Sequence, residues 1–184
     1  MSFSADYLSR LTVAIDTISR ERVDQAIDVL RVARDSGRTI YSCGNGGSAS
    51  IASQMVVDIV KGASYGKQRR VRMMSLADSI STITAYSNDV SYECVFEEQL
   101  KNWLVPNDVV IAISGSGNSE NVLRAVRYAN SRGAITIGCT TAHGGALKDL
   151  AAVPLVVGSD HMGHLEDSFF VMTHVMCYAL MSDD

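Results

Sequence analysis

The stretch Val109-Val110-Ile111-Ala112-Ile113-Ser114-Gly115-Ser116-Gly117-Asn118-Ser119-Glu120 decides the fold: an apolar run ends in a serine- and glycine-rich turn, and a helical pattern follows. The same arrangement stands earlier in the chain, where Thr39-Ile40-Tyr41-Ser42-Cys43 runs into Gly44-Asn45-Gly46-Gly47-Ser48. Both runs are rich in the β-branched and aromatic residues that suit a buried sheet, so each is predicted as a central strand. Where such a strand turns into a helix, the first backbone N–H groups lack internal partners and the helix dipole adds partial positive charge. An oxyanion fits there, and the serine hydroxyls supply further donors. The chain therefore reads as one phosphate cradle built twice.

Outward from these turns, strands and helices alternate. Leu8, Leu11, Ile15 and Ile18, then Val23, Ile27, Leu30 and Ala33, recur at helical spacing between Tyr7 and about Ser36, as two helices or one bent helix. A helix is expected from Ser48 to about Lys61, a loop over 62–70 and a strand over Val71–Ser75. Helical stretches follow at about Ser79–Tyr86 and Cys94–Trp103, and Glu120–Arg132 is the crossover helix after the third strand. A strand over Ala134–Thr141 leads through Gly144-Gly145 to a short helix at Ala146–Ala151, then to a strand at Val153–Val157 and a last helix over about Gly163–Met181. This alternation implies an α/β fold with a five-stranded parallel sheet covered by helices on both faces. Such sheets bind ligands beyond the carboxyl ends of their strands, where both turns lie.

The 184 residues suit a single domain that buries roughly two-thirds of its unfolded surface. A net charge of −4 argues against a nucleic-acid partner. The local cluster Lys67-Gln68-Arg69-Arg70 reads as a solvated loop. No apolar run approaches the roughly 20 residues that span a bilayer, so no membrane partner and a cytoplasmic location are expected. Cys43, Cys94, Cys139 and Cys177 lie apart in apolar surroundings, which suits buried reduced thiols. A nucleotide-binding reading fails, because the first turn lacks the Gly-x-Gly-x-x-Gly spacing and Met74-Ser75-Leu76 supplies no acidic residue after the second strand.

The second turn, with its lead-in Ile111-Ala112-Ile113, resembles the phosphosugar-binding signature of the sugar isomerase (SIS) domain, in which a strand ends in Ser-x-Ser-Gly-x-Ser/Thr followed by Glu. Ser114, Ser116, Gly117, Ser119 and Glu120 stand in that register. The first turn resembles the corresponding loop of the phosphoheptose isomerase family, and the likeness extends over almost the whole chain, including Asn88-Asp89. The resemblance implies a single SIS domain, with residues 1–37 as a helical oligomerisation segment and 38–184 as the phosphosugar-binding core. It further implies a homotetramer with sites at subunit interfaces. Ser48, Ser114, Ser116 and Ser119 would hold the phosphate of a sedoheptulose 7-phosphate-like ligand. Asn45, Asn118, Asp89 and Glu166 would complete the substrate site, the two asparagines by shaping the loops.

Zinc-type members of the family carry a His and a Glu one turn apart after the first turn, then a Gln and a His two turns apart on the last helix. Here those positions read Gln54, Asp58, Glu166 and His174. Zinc favours nitrogen and sulfur donors and takes an amide oxygen poorly, while Glu166 adds a charged oxygen. The set is thus a mixed oxygen and nitrogen site for a divalent metal, with zinc as the family's ion and manganese or magnesium as harder alternatives. By the same resemblance Asp58 would be the general base and His174 its partner acid. Glu166 and His174 are eight residues apart, which on one straight helix is about 12 Å. Either the helix begins after Glu166 or neighbouring subunits contribute the two residues. His161 and His164 flank the start of that helix as cap residues or contacts to sugar or ion, and His143 is read as a loop residue. The function implied is aldose–ketose isomerisation of sedoheptulose 7-phosphate to D-glycero-D-manno-heptose 7-phosphate through an enediol. The alternative is a non-catalytic, phosphosugar-binding or regulatory SIS module that binds a protein such as a replication initiator.

Overall fold

In the computed structural model, residues 2–143 and 145–183 are described; Gly144 of the expected Gly144-Gly145 turn lies outside them. The N-terminal region forms two helices, α1 (Phe3–Asp16) and α2 (Arg20–Asp35). The break between them is set by Ser19, which caps α2 by accepting from the Arg22 N–H at 3.3 Å. Then come β1 (Thr39–Gly44), α3 (Gly47–Val57), β2 (Arg72–Ser75), α4 (Ile80–Asp89), α5 (Val95–Trp103) and β3 (Val109–Ile113). The chain closes with α6 (Glu120–Ser131), β4 (Ile135–Thr141), α7 (Leu147–Leu150), β5 (Val153–Val157) and α8 (Met162–Ser182).

The five strands form one parallel sheet in the order β2-β1-β3-β4-β5. Strand residues alternate between two cores. Ile40, Val109, Ile111 and Ile113 face α2, α3 and α8, packing on Leu30, Met55 and Phe169. Tyr41, Cys43, Val110 and Ala112 face the other way, onto Phe96, Leu100, Val122 and Val126 of α5 and α6. Each fully buried isoleucine or phenylalanine contributes about 1.5–3 kcal/mol of burial, which is why the central strand β3 carries no polar residue. All four cysteines are buried and unpaired. Among the described residues no helix is long and apolar enough to cross a membrane.

Two expectations are corrected. The helix predicted over Ser48–Lys61 is α-helical only to Val57; a π-helical turn, Asp58–Gly62, follows, in which the Ala63 N–H donates to the Asp58 carbonyl at 2.9 Å. Gly62 meets Met181 there so closely that a Cβ would lie 2.2 Å from its terminal methyl, so the widened turn follows the surface of α8. The basic loop is exposed at Gln68, Arg69 and Arg70, as expected, and the correction concerns Lys67, which is half-buried. The Lys67 ammonium donates to the main-chain carbonyls of Met181 and Asp183, closing the end of α8, and Arg69 pairs with Asp35 at 3.3 Å.

Candidate functional site

The strand order places the two turns side by side. β1 and β3 are neighbours while β2 lies on the far side of β1, so the chain's winding reverses at β1/β3, where parallel sheets open a crevice for ligands. Gly44 pairs with Ile113, the last residue of β3, so Asn45 and Ser114 leave the sheet at one level.

Each turn relies on a glycine in the left-handed region, Gly46 at φ +54° and Gly117 at φ +66°. Neither α3 nor α6 has a side-chain cap, whereas α1 and α2 are capped by Ser2 and Ser19. The Val122 N–H is taken by Asn121 Oδ1 and the Ala49 N–H by the Gly46 carbonyl, which leaves the N–H groups of the first two residues of each helix to meet an anion over the crevice. Ser48 and Ser114 are buried, Ser119 is half-buried and Ser116 exposed. The Ser114 hydroxyl donates to that of Ser119 at 3.2 Å, and the Ser116 hydroxyl accepts from the Asn118 N–H. The Asn118 side chain accepts from the Ala146 N–H at 3.2 Å, which ties the second turn to the segment after β4.

Two residues outside the sequence-based set join the turns. The Asn45 amide donates to Asn121 Oδ1 and accepts from Asn121 Nδ2, both at 2.9 Å, and it also accepts from the Tyr92 hydroxyl at 2.7 Å. Asn121 is 3% exposed, one residue past Glu120 in the signature. A buried amide on an amphipathic helix is the signal that could have found it. Tyr92 stands in the connection between α4 and α5 and carries no such signal.

Along the same face, α3 and α8 run in parallel. Gly47 lies against Glu166, where a Cβ would come within 2.1 Å of the carboxylate, and Asp58 lies against His174. Asp58 Oδ2 is 3.5 Å from His174 Nε2, and Asp58 Oδ1 accepts from Gln54 Nε2 at 3.2 Å. Gln54, Asp58 and His174 are therefore brought together, and Glu166 sits toward the first turn. Because α8 is continuous from Met162 to Ser182, the option of a helix beginning after Glu166 is excluded. Burial and the negative charge of Asp58 push the Cys177 thiol, one turn beyond His174, up to about 12, so it is a neutral neighbour of the pair.

For a divalent ion the fit rests on Asp58 Oδ2, which is buried with no hydrogen-bond partner. An unpartnered carboxylate oxygen facing an imidazole, with an amide beside them, is a mixed donor set that suits a cation. Gln54, Asp58 and His174 are the residues of one chain that would hold it. Among the described residues no three His, Cys, Asp or Glu side chains gather for an ion.

The other candidates lie apart from this group. Asp89 ends α4 on the surface, bonded to Asn88 at 2.8 Å. His161 caps α8, its Nδ1 accepting from the His164 N–H at 3.3 Å, and Tyr7 packs edge-on against both rings. The Tyr7 hydroxyl donates to Asp167 at 2.7 Å, and that bond holds its phenol above the usual range. His143 sits in the turn after β4, with Nδ1 2.7 Å from Asp160.

Comparison with known proteins agrees with this geometry. The SIS domain family matches residues 3–141. The phosphoheptose isomerase of Nitratiruptor is 38% identical over 141 residues, covering 76% of this chain and 74% of that one. The phosphoheptose isomerase of Helicobacter pylori is 35% identical over 159 residues, 86% and 82% of the two chains. Among solved structures, the phosphoheptose isomerase of Neisseria gonorrhoeae superposes with a TM-score of 0.87 at 28% identity, covering 98% of this chain and 97% of that one. With the paired serine turns at the β1/β3 crevice, a model match over residues 3–141 and relatives of this identity over most of both chains, the chain belongs to the SIS-domain proteins of the phosphoheptose isomerase family.

Proposed function

We propose that the protein interconverts sedoheptulose 7-phosphate and D-glycero-D-manno-heptose 7-phosphate through an enediol. The observation that carries this is the facing of Asp58 and His174, one group able to take a carbon-bound proton and one able to handle oxygen-bound protons. Ser48, Ser114, Ser116 and Ser119, with the first N–H groups of α3 and α6, neither of which has a side-chain capping bond, anchor the phosphate.

From the ketose, Asp58 removes a proton from C1 while His174 protonates the carbonyl oxygen at C2, giving the enediol. His174 then takes the proton from the C1 hydroxyl, and Asp58 returns its proton to C2. The aldose forms with no net gain or loss of electrons. A divalent ion held by Gln54, Asp58 and His174 supplies polarisation of the carbonyl when bound. Glu166 lies two helical turns before His174, about 12 Å along α8, so its contribution to such a set comes from a neighbouring subunit in this reading.

The same reading makes the assembly a homotetramer in the cytoplasm. Exposed Phe3, Leu8 and Val13 on α1, and Val171, Val175 and Tyr178 on α8, offer the apolar surface for it. Four unpaired buried thiols suit a reducing compartment.

The test is proton NMR of the protein with sedoheptulose 7-phosphate in deuterated buffer, after metal stripping and again with zinc or manganese. Deuterium at the carbon next to the carbonyl, with heptose 7-phosphate signals, is the expected result. No exchange under any metal overturns the isomerase.

A further inference from the structure

The pairing of Asn45 with Asn121 has two hydrogen bonds of equal length, so taken alone it could be reversed by turning both amides over. One contact breaks that symmetry. The Val122 backbone N–H donates to Asn121 Oδ1 at 2.9 Å, and a backbone N–H can only donate. Asn121 therefore presents its oxygen and its NH2 in one fixed sense, which obliges Asn45 to give an N–H to Asn121 Oδ1 and to offer Oδ1 to Asn121 Nδ2. The second acceptor direction on Asn45 Oδ1 is taken by the Tyr92 hydroxyl.

The inventory of Asn45 is then nearly used up. A carboxamide has two donor hydrogens and two acceptor directions. Both acceptor directions and one hydrogen are engaged within the protein, leaving one N–H. That N–H belongs to the first turn, at the crevice between β1 and β3.

We propose that Asn121 and Tyr92 are positioning residues that lock Asn45 as a donor of a single N–H to a sugar oxygen in the reacting portion of the substrate. The proposal rests on the isomerase reading. It assigns a direction to the contact: the oxygen met by Asn45 must accept, as a carbonyl or enediolate oxygen does and as an N–H partner of the ligand would not. A donor fixed in advance stabilises charge that develops on oxygen without reorganising, so its effect falls on kcat more than on KM.

Two variants separate positioning from mere structure. Tyr92→Phe removes one hydroxyl from a residue that is 51% exposed, so the fold is not at stake. Asn121→Asp keeps the acceptor for Val122 but replaces the donor facing Asn45 with an acceptor. Both should lower kcat by about tenfold, short of the 10²–10³ lost when an oxyanion donor is deleted, with KM within about twofold of the parent. In 15N-labelled full-length protein, with the Asn45 NH2 pair assigned by its loss in Asn45→Ala, sedoheptulose 7-phosphate should shift one amide proton and leave the other in place. Unchanged kcat in both folded variants, a change confined to KM, or two Asn45 protons that move together or not at all would overturn the proposal. A wild-type protein without turnover would instead overturn the isomerase reading, and the amide spectrum with the same sugar phosphate would still decide whether the lock and its free donor exist.

Discussion

Asp58 and His174 face each other across the α3–α8 contact, with 3.5 Å between Oδ2 and Nε2, and the carboxylate sits at the first residue of the π-helical turn. The turn matters because it widens the helix at the residue proposed as the base, and such irregularities are frequent at functional sites. Asp58→Asn keeps the shape and removes the base; His174→Gln keeps a polar group and removes the proton carrier. Each should lower kcat by about 10²–10⁴, with the folded spectrum retained. Deuterium uptake from solvent into sedoheptulose 7-phosphate checks this, and uptake at the parental rate in both variants would remove the pair from the mechanism.

Gln54 gives a second prediction. An amide is a poor zinc ligand where an imidazole is a good one, so Gln54→His should bind zinc at least about tenfold more tightly. Metal content after dialysis against graded chelator measures the difference. In the parent, chelation should depress turnover and added zinc or manganese should restore it. A Gln54→His protein that retains no more zinc than the parent would place the ion elsewhere.

Ser119 lies at the head of α6 without capping it, its hydroxyl accepting from Ser114 at 3.2 Å instead. Ser119→Ala should then cost substrate contact and little stability. A charge-assisted bond of about 1.5 kcal/mol corresponds to roughly a tenfold rise in KM. Inorganic phosphate should weaken as an inhibitor by a similar factor, while unfolding free energy stays within about 0.5 kcal/mol.

Asp108 is buried at 1% exposure, and its two oxygens accept from the Thr39 N–H at 2.9 Å and the Val105 N–H at 3.0 Å. It holds the start of β1 to the loop entering β3, and thereby the level at which both turns leave the sheet. Asp108→Ala strands two backbone donors, at a cost of about 2–4 kcal/mol in chemical denaturation. A loss below about 1 kcal/mol would mean that water replaces the carboxylate.

The strands were legible because β3 is apolar for its whole length, β1 is rich in β-branched and aromatic residues, and each ends in a turn whose glycines punctuate it. The sheet order was not, since parallel crossovers leave no mark on local periodicity, and the adjacency of β1 and β3 emerges only from the packing. Gln54, Asp58 and His174 share helix faces that spacing exposes. The separation of Glu166 from them follows from the continuity of α8, which its apolar composition left open at the N-terminal end. Asn121 and Tyr92 act through hydrogen bonds spanning 76 and 47 positions to Asn45, a range that no pattern of neighbours records. The π-helical turn escaped for a different reason: Asp58–Gly62 has ordinary helical composition, and its widening comes from contact with α8.

The far end of α8 carries the last prediction. Asp183 accepts from Arg31 Nε at 3.0 Å, from Arg31 Nη2 at 2.9 Å and from Arg34 Nη1 at 2.8 Å. The two guanidinium groups, Arg31 first, hold the carboxyl down to about 2 from its ordinary value near 3.8. A carboxyl depressed in the folded state binds its proton more weakly there than in the unfolded chain. Its contribution is therefore present above about pH 4 and is lost as the pH falls toward 2. As a partly exposed network it is worth about 0.5–1 kcal/mol, screened by salt. Asp183→Asn should lower the melting temperature at neutral pH in dilute buffer, and the gap from the parent should close as the pH approaches 2. A gap that stays constant with pH would show that the end of α8 is held instead by Lys67, whose ammonium grips the carbonyls of Met181 and Asp183 without regard to the carboxyl.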